Sequence, residues 1–205
     1  MINQAVLLCA GKGTRLGSMT KSRPKPLIEV AEKPFLCWFI EDLVSVGIQD
    51  IVLLVGHLKN QFNFLTESYP QVRLVQSDIV VNKGVLGIRN LEYRFLLGNG
   101  DCYPIFQDSL GLKDLLQGSR RLSLCVKERP DGTIWDSGLA TIDKTSVEMG
   151  LLDCGNFSSM RGILADFFLE GNLHINDLEG LEGAETWLSG RTSTVISPQH
   201  SMMNS

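Results

Sequence analysis

Long hydrophobic runs are absent from this sequence of 205 residues. No apolar stretch reaches the roughly 18 residues that a membrane-spanning helix requires, so we expect no membrane partner. The first residues, MINQAVLLC, carry no basic group ahead of their short apolar stretch, which is not the pattern of a secretory signal. We therefore expect a cytoplasmic protein.

An excess of positive charge is also lacking. The chain has 19 Lys and Arg against 23 Asp and Glu, which gives a net charge of -4. Proteins that bind nucleic acid non-specifically owe that affinity largely to basic groups that neutralise phosphates. The charge balance therefore argues against a nucleic-acid partner and favours a small-molecule ligand.

Residue pairs that commonly bind metals are scarce as well. The five cysteines are odd in number and none forms a C-x-x-C pair, so the usual patterns of a zinc site or a redox dithiol are missing. No other histidine or cysteine stands at ligand spacing from His57 or His174. We interpret the cysteines as reduced and mostly buried, and these two histidines as structural.

Apolar residues, by contrast, make up 43% of the chain, which suffices for one substantial core. Over the first two thirds, strand-like runs such as QAVLLC and DIVLLV alternate with helix-like segments such as FLCWFIEDLVSVG. This alternation predicts an α/β fold. We expect a three-layer, Rossmann-like arrangement with a mixed, mainly parallel sheet and helices on both faces.

The last third of the sequence is less regular. Glycine and aspartate interrupt short β-prone pieces in residues 131–156, which predicts antiparallel strands added at one edge of the sheet. Residues 161–171 and 178–190 are predicted to form two closing helices. The remaining residues are polar and serine-rich, so we predict a single domain over residues 1–190 and a tail over residues 191–205.

The most informative stretch is LCAGKGTRLGSMTKSRPKP, which spans Leu8 to Pro26. Gly11 and Gly13 allow backbone N–H groups to approach a base or a phosphate closely, and Arg15 and Lys25 supply positive charge. A plain turn with solvated basic residues is the alternative interpretation. The P-K-P triplet argues against it, because the two prolines hold Lys25 in a stiff, extended segment that a solvated lysine would not need.

Two common phosphate-binding motifs do not match this loop. The dinucleotide pattern G-x-G-x-x-G would need glycine where the chain has Leu16, and no G-x-x-x-x-G-K-[ST] run occurs. A dinucleotide-dependent oxidoreductase is therefore disfavoured.

The run LCAGKGTRL followed by PKPLIEVAEKPFL resembles the signature of the sugar-phosphate nucleotidyltransferases, within the nucleotide-diphospho-sugar transferase superfamily. LLGNGDCY and HINDLEGLEGAETWL are similar to the family's two later motifs, so the chain is identified as a short member. The resemblance implies that Arg15 contacts the β- and γ-phosphates, Lys25 the α-phosphate, and Asp101 with Asp177 a Mg²⁺ ion. It also implies nucleotide contacts from Leu8, Ala10, Gly11, Gly13, Thr14, Gly84 and Gly100.

The two aspartates also have structural interpretations. Asp101 ends an apolar strand, where ligands of open α/β sheets bind, but it could instead cap a helix. Asp177 stands directly before the segment LEGLEGAETWL, so it is equally well placed as a helix N-cap.

The central region is shorter than the family's pattern. Asp153 and Gly155 match its acceptor-binding turn, but no lysine matches the one that holds the acceptor's phosphate. Lys127 and Lys144 are candidates, although solvated surface lysines are the commoner case.

The resemblance implies a Mg²⁺-dependent transfer of a nucleoside monophosphate from an NTP to a small phosphorylated acceptor. A sugar 1-phosphate is the first choice of acceptor, which would give an NDP-sugar and pyrophosphate. Phosphocholine is the alternative, and a non-catalytic nucleotide-binding module on the same fold is a further one. The oligomeric state is left open, with a homodimer as one option.

Overall fold

The computed structural model describes residues 1–77, 81–106, 111–118, 123–128, 134–149, 165–169 and 171–195. The strands within these ranges are β1 (Gln4–Cys9), β2 (Glu29–Val30), β3 (Lys33–Pro34), β4 (Asp50–Val55), β5 (Val72–Gln76), β6 (Arg94–Asn99), β7 (Cys102–Ile105), β8 (Ser123–Glu128), β9 (Ile134–Asp143), β10 (Ala165–Phe168) and β11 (Gly171–His174). The helices are α1 (Met19–Ser22), α2 (Phe35–Ser45), α3 (Asn63–Ser68), α4 (Val81–Leu86), α5 (Gly111–Gln117), α6 (Lys144–Glu148) and α7 (Leu178–Val195).

Seven strands form one sheet in the order β10-β8-β9-β6-β1-β4-β5. β1 runs parallel to β4 and β6, β4 runs parallel to β5, and β8 runs parallel to β10. β9 is antiparallel to both of its neighbours, β6 and β8. The prediction of a mixed, mainly parallel sheet is confirmed. The antiparallel strand expected at an edge instead lies inside the sheet, where β9 pairs with β6 on one side and with β8 on the other.

Helices cover both faces of the sheet, as predicted. Leu7 of β1 packs in one apolar cluster together with Leu188 of α7 and side chains of α2 and α5. Its neighbour Val6 packs in a second cluster with Val85 of α4 and Val147 of α6. Successive side chains of a strand point to opposite faces, so a fully apolar strand such as β1 requires cover on both.

Helix α2 follows the predicted pattern. Phe35, Phe39 and Leu43 recur at every fourth position and are buried against the sheet. Pro34 stands immediately before the helix, and Gly47 follows it with a φ of +96°. Glycine adopts that conformation without a steric penalty, so the chain can turn directly toward β4.

The helix predicted over residues 161–171 is wrong in the described part of that range. The structure has β10 there, parallel to β8, and then β11, antiparallel to β7. A short apolar run does not distinguish a strand from a helix by periodicity, and its consecutive aromatic residues Phe167 and Phe168 favour a strand.

The predicted closing helix is present as α7, but it continues beyond residue 190 to Val195. The guanidinium of Arg191 donates to both carboxylate oxygens of Asp42, at 2.6 and 3.1 Å, and also bonds the hydroxyl of Tyr103. These contacts fix the last turns of α7 against α2 and β7, so the predicted tail boundary at residue 191 is wrong. Residues 196–205 lie outside the described residues. Within the described ranges, no helix is both long and apolar enough to cross a membrane.

Candidate active site

The glycine-rich loop leaves the carboxyl end of β1 and folds back over the side chain of Lys25. Gly13 has a φ of +65°, and a Cβ atom there would lie 2.9 Å from Thr20 Cγ2 and 3.0 Å from Lys25 Cβ. The Thr20 hydroxyl donates to the Gly13 carbonyl at 3.0 Å and closes the turn. Both the conformation and the close approach therefore require glycine at position 13.

Two side chains from the segment after β4 hold the far half of this loop. His57 Nε2 lies 3.1 Å from the carbonyl oxygen of Thr20, and Gln61 Nε2 donates to the carbonyl of Ser22 at 2.7 Å. The structural interpretation of His57 agrees with this contact. The loop is thus anchored to β4 as well as to β1.

A cavity of about 440 Å³ opens at the carboxyl ends of β1, β4 and β6. This is the edge at which open α/β sheets bind their ligands. Of the residues that sequence analysis assigned to the site, the cavity is lined by Leu8, Ala10, Gly11, Gly13, Thr14, Arg15, Lys25 and Asp101. Its other lining residues are Cys9, Pro26, Leu54, Ser77, Asn99 and Asn176.

Lys25 is the buried cation of this cavity, with only 7% of its surface exposed. Its Nζ atom lies 2.5 Å from Asp101 Oδ2 and 2.5 Å from Asn176 Oδ1. Lys25 begins a short 3₁₀ turn, Lys25–Leu27, rather than the extended segment that we predicted. Pro26 fits this first turn because the N–H group that proline lacks would have no partner there.

Arg15 lies at the mouth of the cavity, on the 3₁₀ turn Thr14–Leu16. The residue is exposed, and no described residue accepts a hydrogen bond from its guanidinium group. Its five donors are therefore available to an anionic ligand.

The turn after β6 brings Asp101 to the cavity, and Gly100 makes this turn possible. The Gly100 N–H donates to the Leu8 carbonyl at 3.0 Å, and a Cβ on Gly100 would crowd that oxygen and the Cys9 sulfur. Gly100 does not line the cavity, which differs from the expected nucleotide contact. Burial, and secondarily the charge of Asp101, raises the pKa of the Cys9 thiol, which disfavours the thiolate form.

In the structure, Asp177 does not lie at the cavity where a metal ligand was predicted. Asp177 is exposed, and its Oδ1 atom accepts a hydrogen bond from the Gly180 N–H at 2.9 Å. This is the contact of a helix N-cap on α7, the alternative that the sequence left open. The preceding residue, Asn176, is the one that reaches Lys25 and lines the cavity. In the structure, Asn176 rather than Asp177 therefore lies with Asp101 at the cavity.

Asn176 was not predicted, because carboxylates are the side chains that most often hold Mg²⁺ in proteins. A signal was present in the sequence HINDLEG. An aspartate that directly precedes a helix is satisfied by capping, which leaves the preceding residue to face the site. In the structure, Ile175 is buried in the core, Asn176 is half-buried at the cavity, and Asp177 is exposed.

Gly84 belongs to α4 rather than to a turn, and it does not line the cavity. A Cβ on Gly84 would meet the side chain of Ser77, which does line it. Gly84 therefore supports the wall of the cavity from behind.

Fewer of the residues that were predicted to bind the acceptor fall within the described residues. Asp153 and Gly155 lie outside the described residues, as does the side chain of Lys127. Lys144 follows β9 where Asp143 pairs with Arg94, at the start of β6. That position is at the opposite edge of the sheet from the cavity, which excludes Lys144 as a phosphate ligand there.

Two oxygen atoms in the cavity could bind a divalent cation. Asp101 Oδ2 and Asn176 Oδ1 converge on the Lys25 ammonium, which lies between them as a cation. Carboxylate and amide oxygens are the kind of ligand that hard cations such as Mg²⁺ accept, with phosphates and water in the remaining positions. No group of three or more His, Cys, Asp or Glu side chains suited to a metal occurs within the described residues.

Residues 4–88 match the model of the family described as Nucleotidyl transferase. A choline-phosphate cytidylyltransferase of Streptococcus pneumoniae is 49% identical over 75 residues, which are 37% of this chain and 32% of that protein. A D-glycero-alpha-D-manno-heptose 1-phosphate guanylyltransferase of Campylobacter jejuni is 26% identical over 180 residues, which cover 82% of this chain and 80% of that protein.

A solved structure of a CTP:phosphocholine cytidylyltransferase from Streptococcus pneumoniae superimposes with a TM-score of 0.65 at 25% identity, over 91% of this chain and 100% of that one. The chain matches about a third of the length of the curated protein to which it is 49% identical. The chain is thus similar to nucleotidyltransferases over residues 4–88, and it shares their fold along 91% of its length.

Proposed function

We propose that this protein transfers a nucleoside monophosphate from an NTP to a small phosphorylated acceptor and releases pyrophosphate. The observation that carries the proposal is the arrangement at the carboxyl edge of the sheet. There, a glycine loop, a buried lysine and an arginine that has no hydrogen-bond partner among the described residues line one cavity of about 440 Å³. That volume lies in the range of small-molecule sites.

The reaction would begin with an oxygen of the acceptor's phosphate attacking the α-phosphorus of the NTP. A new P–O bond forms, the bond from the α-phosphorus to the bridging oxygen breaks, and its electron pair leaves with pyrophosphate. Two anions must approach each other, so charge neutralisation and alignment make up most of the catalytic task. A phosphate monoester is already largely ionised near neutral pH, so no general base is required.

The residues of the cavity suit that task. Lys25 presents a desolvated ammonium group to stabilise the charge that develops around the α-phosphorus. Arg15 can hold the leaving pyrophosphate with two parallel hydrogen bonds, because its guanidinium group has no other partner among the described residues. When bound with the nucleotide, Mg²⁺ would neutralise phosphate charge, and Asp101 and Asn176 are the residues that would hold it.

The similar proteins guide the choice of substrates. A heptose 1-phosphate appears in the name of the relative that matches 82% of this chain, which supports a sugar 1-phosphate as the acceptor. Phosphocholine is the second candidate, because the choline-phosphate cytidylyltransferase matches at 49% identity over its shorter segment. CTP and GTP are accordingly the first nucleotides to test.

Pyrophosphate release tests the proposal directly. Hexose 1-phosphates, heptose 1-phosphates and phosphocholine should be combined with each of the four NTPs in the presence of Mg²⁺. We expect turnover with at least one pair and a mass-spectrometric product that corresponds to NMP plus acceptor. Nucleotide binding without turnover for any pair would favour the non-catalytic module, and a thermal-shift assay detects such binding because a ligand of the native state raises Tm.

A further inference from the structure

The hairpin of β2 and β3 turns through two residues, Ala31 and Glu32, and both have a positive φ, of +50° and +68°. Two-residue hairpin turns with positive φ at both positions usually contain Asn-Gly, Asp-Gly or Gly-Gly, because a Cβ atom disfavours the left-handed conformation. Strained backbone of this kind persists only where the surrounding structure holds it. The turn therefore depends on contacts with its neighbours.

Helix α2 holds the hairpin from one side. Trp38 Nε1 donates to the carbonyl of Val30 at 3.0 Å. The Lys33 ammonium group lies 3.5 Å from the centre of the Trp38 ring and also bonds Glu41. These contacts fix the two strands of the hairpin, but none of them reaches the strained turn itself.

Helix α7 reaches that turn through Glu185. Its Oε2 atom accepts a hydrogen bond from the Ala31 N–H at 2.7 Å. Ala31 is buried, so an N–H group left there without an acceptor would be destabilising. A carboxylate is a strong acceptor for a backbone N–H. Glu185 thus joins α7 to the one part of the hairpin that departs from ordinary backbone geometry.

This contact links the same two segments that meet in the cavity. Lys25 stands shortly before the hairpin, and Asn176 stands shortly before α7. The segments are joined once inside the cavity, by Lys25 Nζ and Asn176 Oδ1 at 2.5 Å, and once outside it, by Ala31 and Glu185. A helix held by one polar contact can pivot about it, whereas two contacts also fix its direction.

A bound nucleotide would leave only the outer contact unchanged. Phosphates in the cavity would attract the Lys25 ammonium group and so weaken its bond to Asn176. Ala31 and Glu185 do not line the cavity, so their hydrogen bond would persist. The orientation of α7 in the liganded protein then depends on Glu185.

We propose that Glu185 is a positioning residue: by binding the Ala31 N–H, it keeps the start of α7, and with it Asn176, in place at the cavity while a nucleotide is bound. The inference rests on the proposed function, because it requires a nucleotide in this cavity. Glu185 itself contacts no substrate.

NMR of ¹⁵N-labelled protein tests the inference without turnover, in the free protein and with a non-hydrolysable α,β-methylene NTP. Glu185→Ala should make the Ala31 N–H exchange with solvent about tenfold faster or more. With the analogue bound, it should also shift the side-chain amide signals of Asn176. Glu185→Gln keeps an acceptor oxygen and should retain the wild-type signals. Glu182→Ala removes the same charge from another exposed position of α7 and should change neither measurement.

Steady-state kinetics supplies a second measurement. We expect Glu185→Ala to lower kcat about tenfold, because a small displacement of a group that aligns the substrates is costly. KM for the NTP should stay within about twofold of wild type, because the glycine loop that binds the nucleotide is unchanged. Glu185→Gln and Glu182→Ala should both retain the wild-type kcat.

A strain-free turn separates positioning from stabilisation. Two glycines, introduced by Ala31→Gly and Glu32→Gly, adopt the same backbone without strain and keep the N–H group at position 31. If Glu185 only stabilised the turn, adding Glu185→Ala to this protein would leave kcat unchanged. Positioning predicts the same loss of about tenfold. This background also covers the case in which Glu185→Ala alone does not fold.

Unchanged Asn176 signals in Glu185→Ala with the analogue bound would overturn the inference. So would a wild-type kcat for Glu185→Ala in the two-glycine protein. Failure of the proposed function gives a different pattern, in which no NTP analogue shifts a cavity signal of the wild-type protein and no acceptor is turned over.

Discussion

At the scale of single residues, the cavity depends on Lys25. Its aliphatic stem is closely packed, and its ammonium group is paired with a carboxylate. The Cβ of Lys25 lies under Gly13, and its ammonium group bonds Asp101. Lys25→Met keeps most of this packing and removes only the charge, so we expect kcat to fall by about 10²-fold or more. Steady-state pyrophosphate release measures the loss. Lys33→Met, which removes a lysine paired with Glu41 outside the cavity, is the control and should retain the wild-type rate.

Arg15 contributes shape as well as charge. Its side chain is exposed and has no partner among the described residues, so Arg15→Lys should not change Tm. One ammonium group does not reproduce the planar fork of a guanidinium group on pyrophosphate. We therefore expect kcat/KM for the NTP to fall about tenfold or more although the charge is retained. Unchanged kinetics would mean that Arg15 acts only as a distant positive charge.

Asp177 should affect stability rather than activity. It caps α7 through the Gly180 N–H, and it is exposed. Asparagine caps a helix almost as well as aspartate, so Asp177→Asn should leave both stability and turnover near wild type. Asp177→Ala should lower the free energy of unfolding by about 1 kcal/mol, measured by urea denaturation, with kcat unchanged. A large loss of turnover in Asp177→Asn would return this residue to the metal site.

At the scale of secondary-structure elements, the amino ends of three parallel strands meet at Asp50 of β4. Arg73 of β5 donates to its carboxylate at 2.8 and 3.0 Å, and the amide of Gln4 of β1 donates at 2.6 Å. Burial is the largest single influence and raises the pKa of Asp50. The hydrogen bonds from Arg73 and Gln4, with the charge of Arg73, outweigh it and hold that pKa below its ordinary value.

Because the pKa of Asp50 is lowered, the stability that this junction contributes depends on pH. Its stabilising effect is fully present above the unfolded-state pKa of roughly 3.9 and is lost as the pH falls through the lower folded-state pKa. Asp50→Asn should therefore destabilise the protein by on the order of 1 kcal/mol at pH 7 and by progressively less below pH 4. Urea unfolding of both proteins at a series of pH values measures this difference. A difference that stays constant down to pH 3 would contradict the prediction.

The elements differ in how much of them the sequence could predict. β1, β4 and α2 were predictable because a buried parallel strand is apolar throughout and a helix on one face repeats its apolar residues every three or four positions. β10 and β11 were not, because a short apolar run does not distinguish a strand from a helix by periodicity. The site residues also differ in how far the sequence could predict them. Lys25 and Arg15 were predictable because they belong to one local motif. The choice between Asn176 and Asp177 was not, because it depends on where α7 begins.

At the scale of the whole molecule, the two edges of the sheet have separate tasks. Lys25 and the cavity lie at the carboxyl edge, whereas Asp50, Gln4 and Lys144 lie at the amino edge. The edges are separated by the length of β4, about 17 Å at roughly 3.3 Å per residue.

Groups at this separation with no shared partner do not couple energetically. We expect the changes in unfolding free energy of Lys25→Met and Asp50→Asn to add in the double variant to within about 0.5 kcal/mol. Asp50→Asn alone should leave kcat at the wild-type value. Denaturant unfolding and steady-state rates of the two single variants and the double variant supply both measurements. A coupling well above this limit would mean that strain at one edge reaches the other.

The distance in sequence between Lys25 and Asn176, 151 positions, has a consequence for the newly made protein. Chains leave the ribosome at about 5–20 residues per second, so Asn176 emerges roughly 8 to 30 seconds after Lys25. In that interval the nascent chain carries the glycine loop and Lys25, but not the amide that completes the cavity or the helix that closes over α2 and β7. If the protein binds nucleotides as proposed, their contribution to stability is complete only when the last helix has docked.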